Sequence, residues 1–92
     1  MVNTAPSESQ ALLQFPCAFS IKAIGEIPSF ADVVVALIEP YSPGIQPHQV
    51  STRSSRNGRY VSVTVKITAH SREQMDAIYH ALSHHPKVIM AL

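Results

Sequence analysis

The stretch YVSVTVKITA, Tyr60 to Ala69, decides how the rest of the chain is read. Val61, Val63, Val65, Ile67 and Ala69 alternate with Tyr60, Ser62, Thr64, Lys66 and Thr68. Successive side chains of a strand point to opposite faces, so this is a strand with one buried face and one wet face. A strand of that kind needs a sheet around it and a layer on one side only.

Working toward the N-terminus, Asn57-Gly58 is the strongest local hairpin signal in the sequence. It joins the decisive strand to a polar extended stretch, Gln46 to Ser54, in which Val50, Thr52 and Ser54 alternate with Gln49, Ser51 and Arg53. Ala18 to Gly25 repeats the one-sided pattern, with Phe19, Ile21 and Ala23 on one face and Ser20, Lys22 and Ile24 on the other. Between these strands Phe30, Val33, Val34, Leu37, Ile38 and Tyr41 recur at helical spacing behind Pro28 and a capping Ser29, and Pro40 with Tyr41-Ser42-Pro43-Gly44 stops the helix. The run Val33-Val34-Val35 has strand propensity, but it lacks alternation, which favours helix.

Toward the C-terminus, Ser71 and Gln74 have the spacing of a capping box. The helix behind them buries Met75, Ile78, Tyr79 and Leu82 and exposes Arg72, Glu73, Asp76 and His80, with Pro86 just beyond its end. Val88 to Leu92 closes the chain as an apolar strand. The order is βαββαβ, which predicts an α+β ferredoxin-like sandwich: a four-stranded antiparallel sheet with two helices on one face. The right-handed crossover rule puts the first and third strands in the centre.

Ninety-two residues hold one hydrophobic core. Residues 1–10 read as a disordered lead and 11–92 as a single domain. The polar first ten residues do not resemble a secretory signal, and no apolar run approaches the roughly 20 residues of a membrane span. The single cysteine, Cys17, allows neither an internal disulfide nor a cysteine-based zinc site. A cytoplasmic protein without contact to a membrane is the expectation.

The chain also resembles the YbeD-like family of small bacterial proteins of unknown function. The resemblance runs from about Phe15 to Leu92. It rests on Phe15-Pro16, Phe19, Lys22 and Gly25; on Ser55, Gly58, Tyr60, Ser62 and Val63 at family spacing; on Ala69, Gln74, Tyr79 and Leu82; and on Val88 and Leu92. It implies a ferredoxin-like fold similar to the ACT regulatory domains of amino-acid metabolism, no established activity, and an association through gene neighbourhood with lipoate attachment. The longer N-terminal lead and the histidine-rich end of the second helix depart from the family pattern.

Charge is the most informative functional signal. Seven Lys and Arg against six Asp and Glu nearly cancel, but no acid occurs between Pro40 and Arg72. That stretch holds Arg53, Arg56, Arg59 and Lys66, and Lys22 shares their wet sheet face, while Asp32, Glu39, Glu73 and Asp76 fall on the helices. The molecule is therefore expected to be dipolar, with a basic sheet and hairpin fit for an anionic partner, set against the bland reading of a solvated edge. An RNA-recognition motif on this fold would carry stacking aromatics on the central strands. Only Tyr60 stands there, with Ser20, Lys22, Ser62 and Thr64 at the other places, which counts against specific RNA binding.

Other constellations are thinner. Gly25 and Glu26 occupy the turn that borders the effector site in ACT-like domains, or simply end a strand. His80 and His84, four residues apart with Asp76 one turn earlier, could share a metal, or could cap a helix terminus. Cys17 has no sequence-local base and reads as a small half-buried residue. No nucleophile–base pair, paired carboxylates or phosphate loop is visible, so no catalytic residue and no cofactor are expected.

The expectation is a non-enzymatic regulatory or protein-binding module. An anion- or nucleic-acid-binding module is the first alternative and a metal or thiol protein the second. The partner is expected to be a protein or a small anionic ligand. The last strand is apolar on both faces although topology makes it an edge. Cover by Leu12, Leu13 and Phe15 is expected, hence a monomer or weak dimer. Because Val63 is central to the buried face, Val63→Asp is expected to unfold the domain, since an unpaired core charge costs several kcal/mol, about the whole stability of a small domain; loss of the far-ultraviolet and chemical-shift signatures of the fold checks this.

Overall fold

A computed structural model describes residues 14–26 and 28–92. The expectations for residues 1–10 and for Leu12 and Leu13 lie outside these. The described chain runs β1 (Cys17–Glu26), α1 (Phe30–Ile38), a 3₁₀ turn (Pro47–Gln49), β2 (Val50–Ser54), β3 (Tyr60–Ala69), α2 (Arg72–Ser83) and β4 (Val88–Ala91). The four strands form one antiparallel sheet in the order β2-β3-β1-β4, with the first and third strands central as the crossover rule requires. The fold is an α+β ferredoxin-like sandwich.

β1 and β3 pair along ten residues each, from Cys17 opposite Ala69 to Glu26 opposite Tyr60. In this register the apolar members of both strands share a face. Ile21, Ala23, Val61, Val63, Val65 and Ile67 are buried there against Phe30, Val34 and Ile38 of α1 and Ile78 and Leu82 of α2. Phe19 and Leu37 pack on this core from its margin, and Met75, expected inside, is half-buried.

Several local details differ from the sequence reading. Pro47 to Gln49 is not extended but forms the 3₁₀ turn. Gln49 folds back so that its carboxamide oxygen accepts from Gln46 N at 2.8 Å while its Nε2 donates to the Lys66 carbonyl at 2.8 Å, tying the turn to β3. Ser29 does not cap α1 with its side chain, because it takes a left-handed backbone conformation with φ 61°. Ser71 does cap α2, accepting from Gln74 N at 3.0 Å. The Gln74 side chain reaches one residue further back than a capping box requires, accepting from His70 N at 2.6 Å, and its Nε2 donates to the Tyr41 carbonyl. The hairpin at Asn57-Gly58 is closed by Ser55 and Tyr60, with Gly58 at φ 74° where a side chain would be strained.

Gly25 and Glu26 both lie inside β1 rather than in a turn after it. A Cβ on Gly25 would run into the Phe30 ring and come within 2.6 Å of the Lys87 carbonyl. The bare α-carbon is what lets the first residue of α1 seat its ring against the sheet. Gly25→Ala is therefore expected to cost about 1–3 kcal/mol, the range for overpacking a filled core, read as a lowered denaturant midpoint with an unchanged slope.

Candidate functional site

Both helices cover one face of the sheet, and among the described residues nothing covers the other. The registers set its side chains in rows across the strands. One row runs Arg53, Ser62, Ile24, Met90, and the next Ser51, Thr64, Lys22. Lys22 and Leu92 exchange both main-chain hydrogen bonds, which adds Leu92 to the second row. A third row pairs Lys66 with Ser20, and a fourth pairs Tyr60 with Glu26.

Lys22 and Lys66 are diagonal neighbours on adjacent strands, about 7–8 Å apart at their backbones. Arg53 stands two strands away from Lys22, on the order of 10 Å. The hydroxyls of Ser51, Ser62 and Thr64 lie between these cations. Shallow depressions in the surface here share Lys22, Arg53 and Ser62 in their lining. Three like charges held round a patch of hydroxyls repel one another, and an anion that adds both opposite charge and acceptor oxygens relieves that repulsion. Ser62 and Thr64, which the sequence marks only as missing aromatics, thus become the polar centre of the arrangement.

The hairpin arginines are not equivalent. Arg59 Nε donates to Glu26 Oε2 at 3.3 Å, and its guanidinium carbon lies 5.4 Å from the Tyr60 ring centre. No acid lies near the three arginines in sequence, yet Arg59 is neutralised in the fold, because the end of β1 brings Glu26 across from a position 33 residues away. Arg53 faces the open sheet and Arg56 sits exposed at the hairpin tip. The site is therefore centred on Lys22, Lys66 and Arg53, with Arg59 already partnered.

The remaining candidates have structural employment. Gly25 makes room for Phe30, and Glu26 holds Arg59. The His80 and His84 rings stack with centres 4.0 Å apart, and His84 Nδ1 lies 2.9 Å from the His80 carbonyl, where it serves the helix terminus as a donor. Among the described residues no three His, Cys, Asp or Glu side chains come together as a metal site would need. Cys17 begins β1 half-buried, opposite Ala69. On the helix side a groove of about 520 Å³ separates α1 from the β2 edge; Ala31, Val35 and Val50 line it and Asp32 and Glu39 rim it. The Glu39 carboxylate is occupied by Gly44 N at 2.7 Å. This acidic side and the basic open face are separated by the thickness of the sheet.

The family model for "Protein of unknown function (DUF493)" matches residues 10–92. The UPF0250 protein of Paraburkholderia phytofirmans is 40% identical, over 94% of this chain and 98% of its own length. A UPF0250 protein of Bordetella pertussis is 39% identical over the whole of both chains. The solution structure of protein HP0495 from H. pylori superposes with a TM-score of 0.74 over 99% of this chain and 98% of that one, at 19% identity, a likeness of fold.

Because an exposed ion pair is worth under about 1 kcal/mol, Glu26→Gln is expected to leave the fold intact and free Arg59 for an outside anion. Retention on a cation-exchange surface should rise more than for Asp32→Asn, which removes the same charge from the opposite side.

Proposed function

The chain belongs to the DUF493 family, the YbeD-like proteins of unknown function that its sequence resembles, and on that premise we propose that it is a non-enzymatic binding module whose open sheet face docks an acidic protein surface. The observation that carries this reading is the uncovered face itself, with Lys22, Lys66 and Arg53 set round Ser51, Ser62 and Thr64.

The shape supports a macromolecular partner over a small ligand. Small-molecule sites enclose most of their ligand, whereas the depressions here are shallow. The chemistry supports protein carboxylates over nucleic acid, since base stacking needs aromatic platforms. Tyr60 is the one ring that β1 and β3 turn to this face, and Arg59 lies over it. A regulatory role of the ACT-like kind is compatible with this, the partner then being the regulated protein. The module holds its partner through charge, so association should quicken at low ionic strength and fade as salt screens it.

The test is titration with an acidic peptide, poly-glutamate, beside a single-stranded oligonucleotide of equal charge. The triple variant Lys22→Gln, Arg53→Gln, Lys66→Gln is expected to bind the peptide at least about tenfold more weakly, or about 1.4 kcal/mol, and Arg56→Gln to differ much less. Equal binding by the triple variant and the wild type removes the reading, and tighter binding of the oligonucleotide replaces the acidic protein with nucleic acid.

A further inference from the structure

Beside this basic face lies an apolar strip that it does not use. Ile89 and Met90 of the edge strand and Leu92 just after it are 57%, 49% and 57% exposed, and the segment Val88 to Leu92 carries no charged side chain. Edge strands normally carry charge or are covered, to prevent pairing with another chain. The opposite edge obeys that rule through Arg53 on β2. The β4 edge, among the described residues, has neither.

The chain's own N-terminal segment is the first candidate to cover it, and reach decides against it. The segment joins the described chain at Gln14, beside the Cys17 end of β1. Met90 lies opposite Ile24, eight residues along β1 from Pro16, or about 26 Å at strand rise. A segment doubling back from Pro16 gains at most about 3.3–3.6 Å per residue. The four residues from Pro16 back to Leu12 therefore span at most about 14 Å of that distance. The eight residues that the distance takes run back to Glu8, in a polar stretch of the sequence.

We infer that β4 pairs with β4 of a second copy of this chain about a two-fold axis at Ala91. The geometry is self-complementary. Lys22 and Leu92 exchange both main-chain hydrogen bonds, at 3.1 and 2.6 Å. Bonded and non-bonded pairs alternate in an antiparallel ladder, so Ala91, opposite Ala23, turns its N–H and C=O away from β1. Two copies meeting there exchange those bonds. Met90 then faces Leu92 of the partner subunit, and Leu92 faces Met90 of the partner subunit, on the open side of the sheet. These four side chains, flanked by an Ile24 from each copy, close over the seam. On the helix side the small Ala91 methyls meet without crowding.

The pairing joins two four-stranded sheets into one of eight and holds the two Lys22 residues about 16 Å apart, three strand spacings across and two residues along the strands. A partner of the pair would see basic, apolar and basic strips in succession. With so short a seam, the dimer forms and dissolves with concentration. This inference goes beyond the proposed function and does not need it, since self-association is read without any anion.

The test is sedimentation velocity on the full chain over a hundredfold concentration range. The wild type should shift from monomer toward dimer. Met90→Lys with Leu92→Lys should stay monomeric throughout with unchanged circular dichroism, because both positions are exposed. Leu12→Ser with Leu13→Ser should dimerise like the wild type. As a second measurement, Ala91→Cys in a Cys17→Ser background should oxidise to a covalent dimer, since about 5.5 Å between paired α-carbons suits a disulfide. A wild type that stays monomeric, a dimer that survives the lysine pair, a dimer lost with the leucines, or an Ala91→Cys chain that does not cross-link overturns the inference.

Discussion

Everything else in this molecule hangs on the ten-residue antiparallel pairing of β1 with β3. Both strands alternate with period two. The pairing from Cys17–Ala69 to Glu26–Tyr60 puts both apolar sets on the same side. A slip of one residue would turn one strand's valines and isoleucines to water. With this register fixed, the sheet has one face that must be covered, and the two connections long enough to cover it are α1 and α2. Gly25 sets how closely the cover fits, by yielding its side-chain space to Phe30.

The same pairing decides where charge goes. Positions facing the helices are closed to Lys and Arg, so the cations of the strands all lie on the open face. The acids of the helices lie on the far side of the sheet. A chain of formal charge +1 thereby presents two surfaces of opposite character. Glu26 is the exception, and it marks the limit of the basic face because it neutralises Arg59. The hydroxyls of Ser62 and Thr64 keep that face wet while leaving it free of bulky side chains.

The two sheet edges are treated differently. β2 is polar, carries Arg53 and is held by the Gln49 bridge to the Lys66 carbonyl. β4 is short and uncharged, and it is pinned on its inner side by Leu92 to Lys22 and by the Tyr79 hydroxyl, which donates to the Leu92 carbonyl at 2.9 Å. Burial raises the Tyr79 pKa above its ordinary value. That donor therefore stays protonated through the physiological range, and its contribution is lost only as alkaline pH rises through the raised value. The pinning of the inner side contrasts with the outer side, where Met90 and Leu92 are exposed among the described residues.

The fold was legible in the sequence because it follows from local periodicity. Val61 to Ala69 and Phe19 to Ala23 alternate, Phe30 to Ile38 and Met75 to Leu82 recur at helical spacing, and a right-handed crossover leaves one arrangement of the strands. Lys22, Lys66 and Arg53 could be assigned to one face by counting in twos. What the sequence did not determine were the contacts between residues far apart in the chain. Glu26 meeting Arg59, Gly25 receiving Phe30, and Gln49 reaching the Lys66 carbonyl depend on strand register and on how the connections turn, and no local pattern encodes either. Ser62 and Thr64 became the centre of a charged patch only when pairing set Arg53 on one side of them and Lys22 on the other. Periodicity tells each residue which way to face, and only the assembled sheet tells it what it faces.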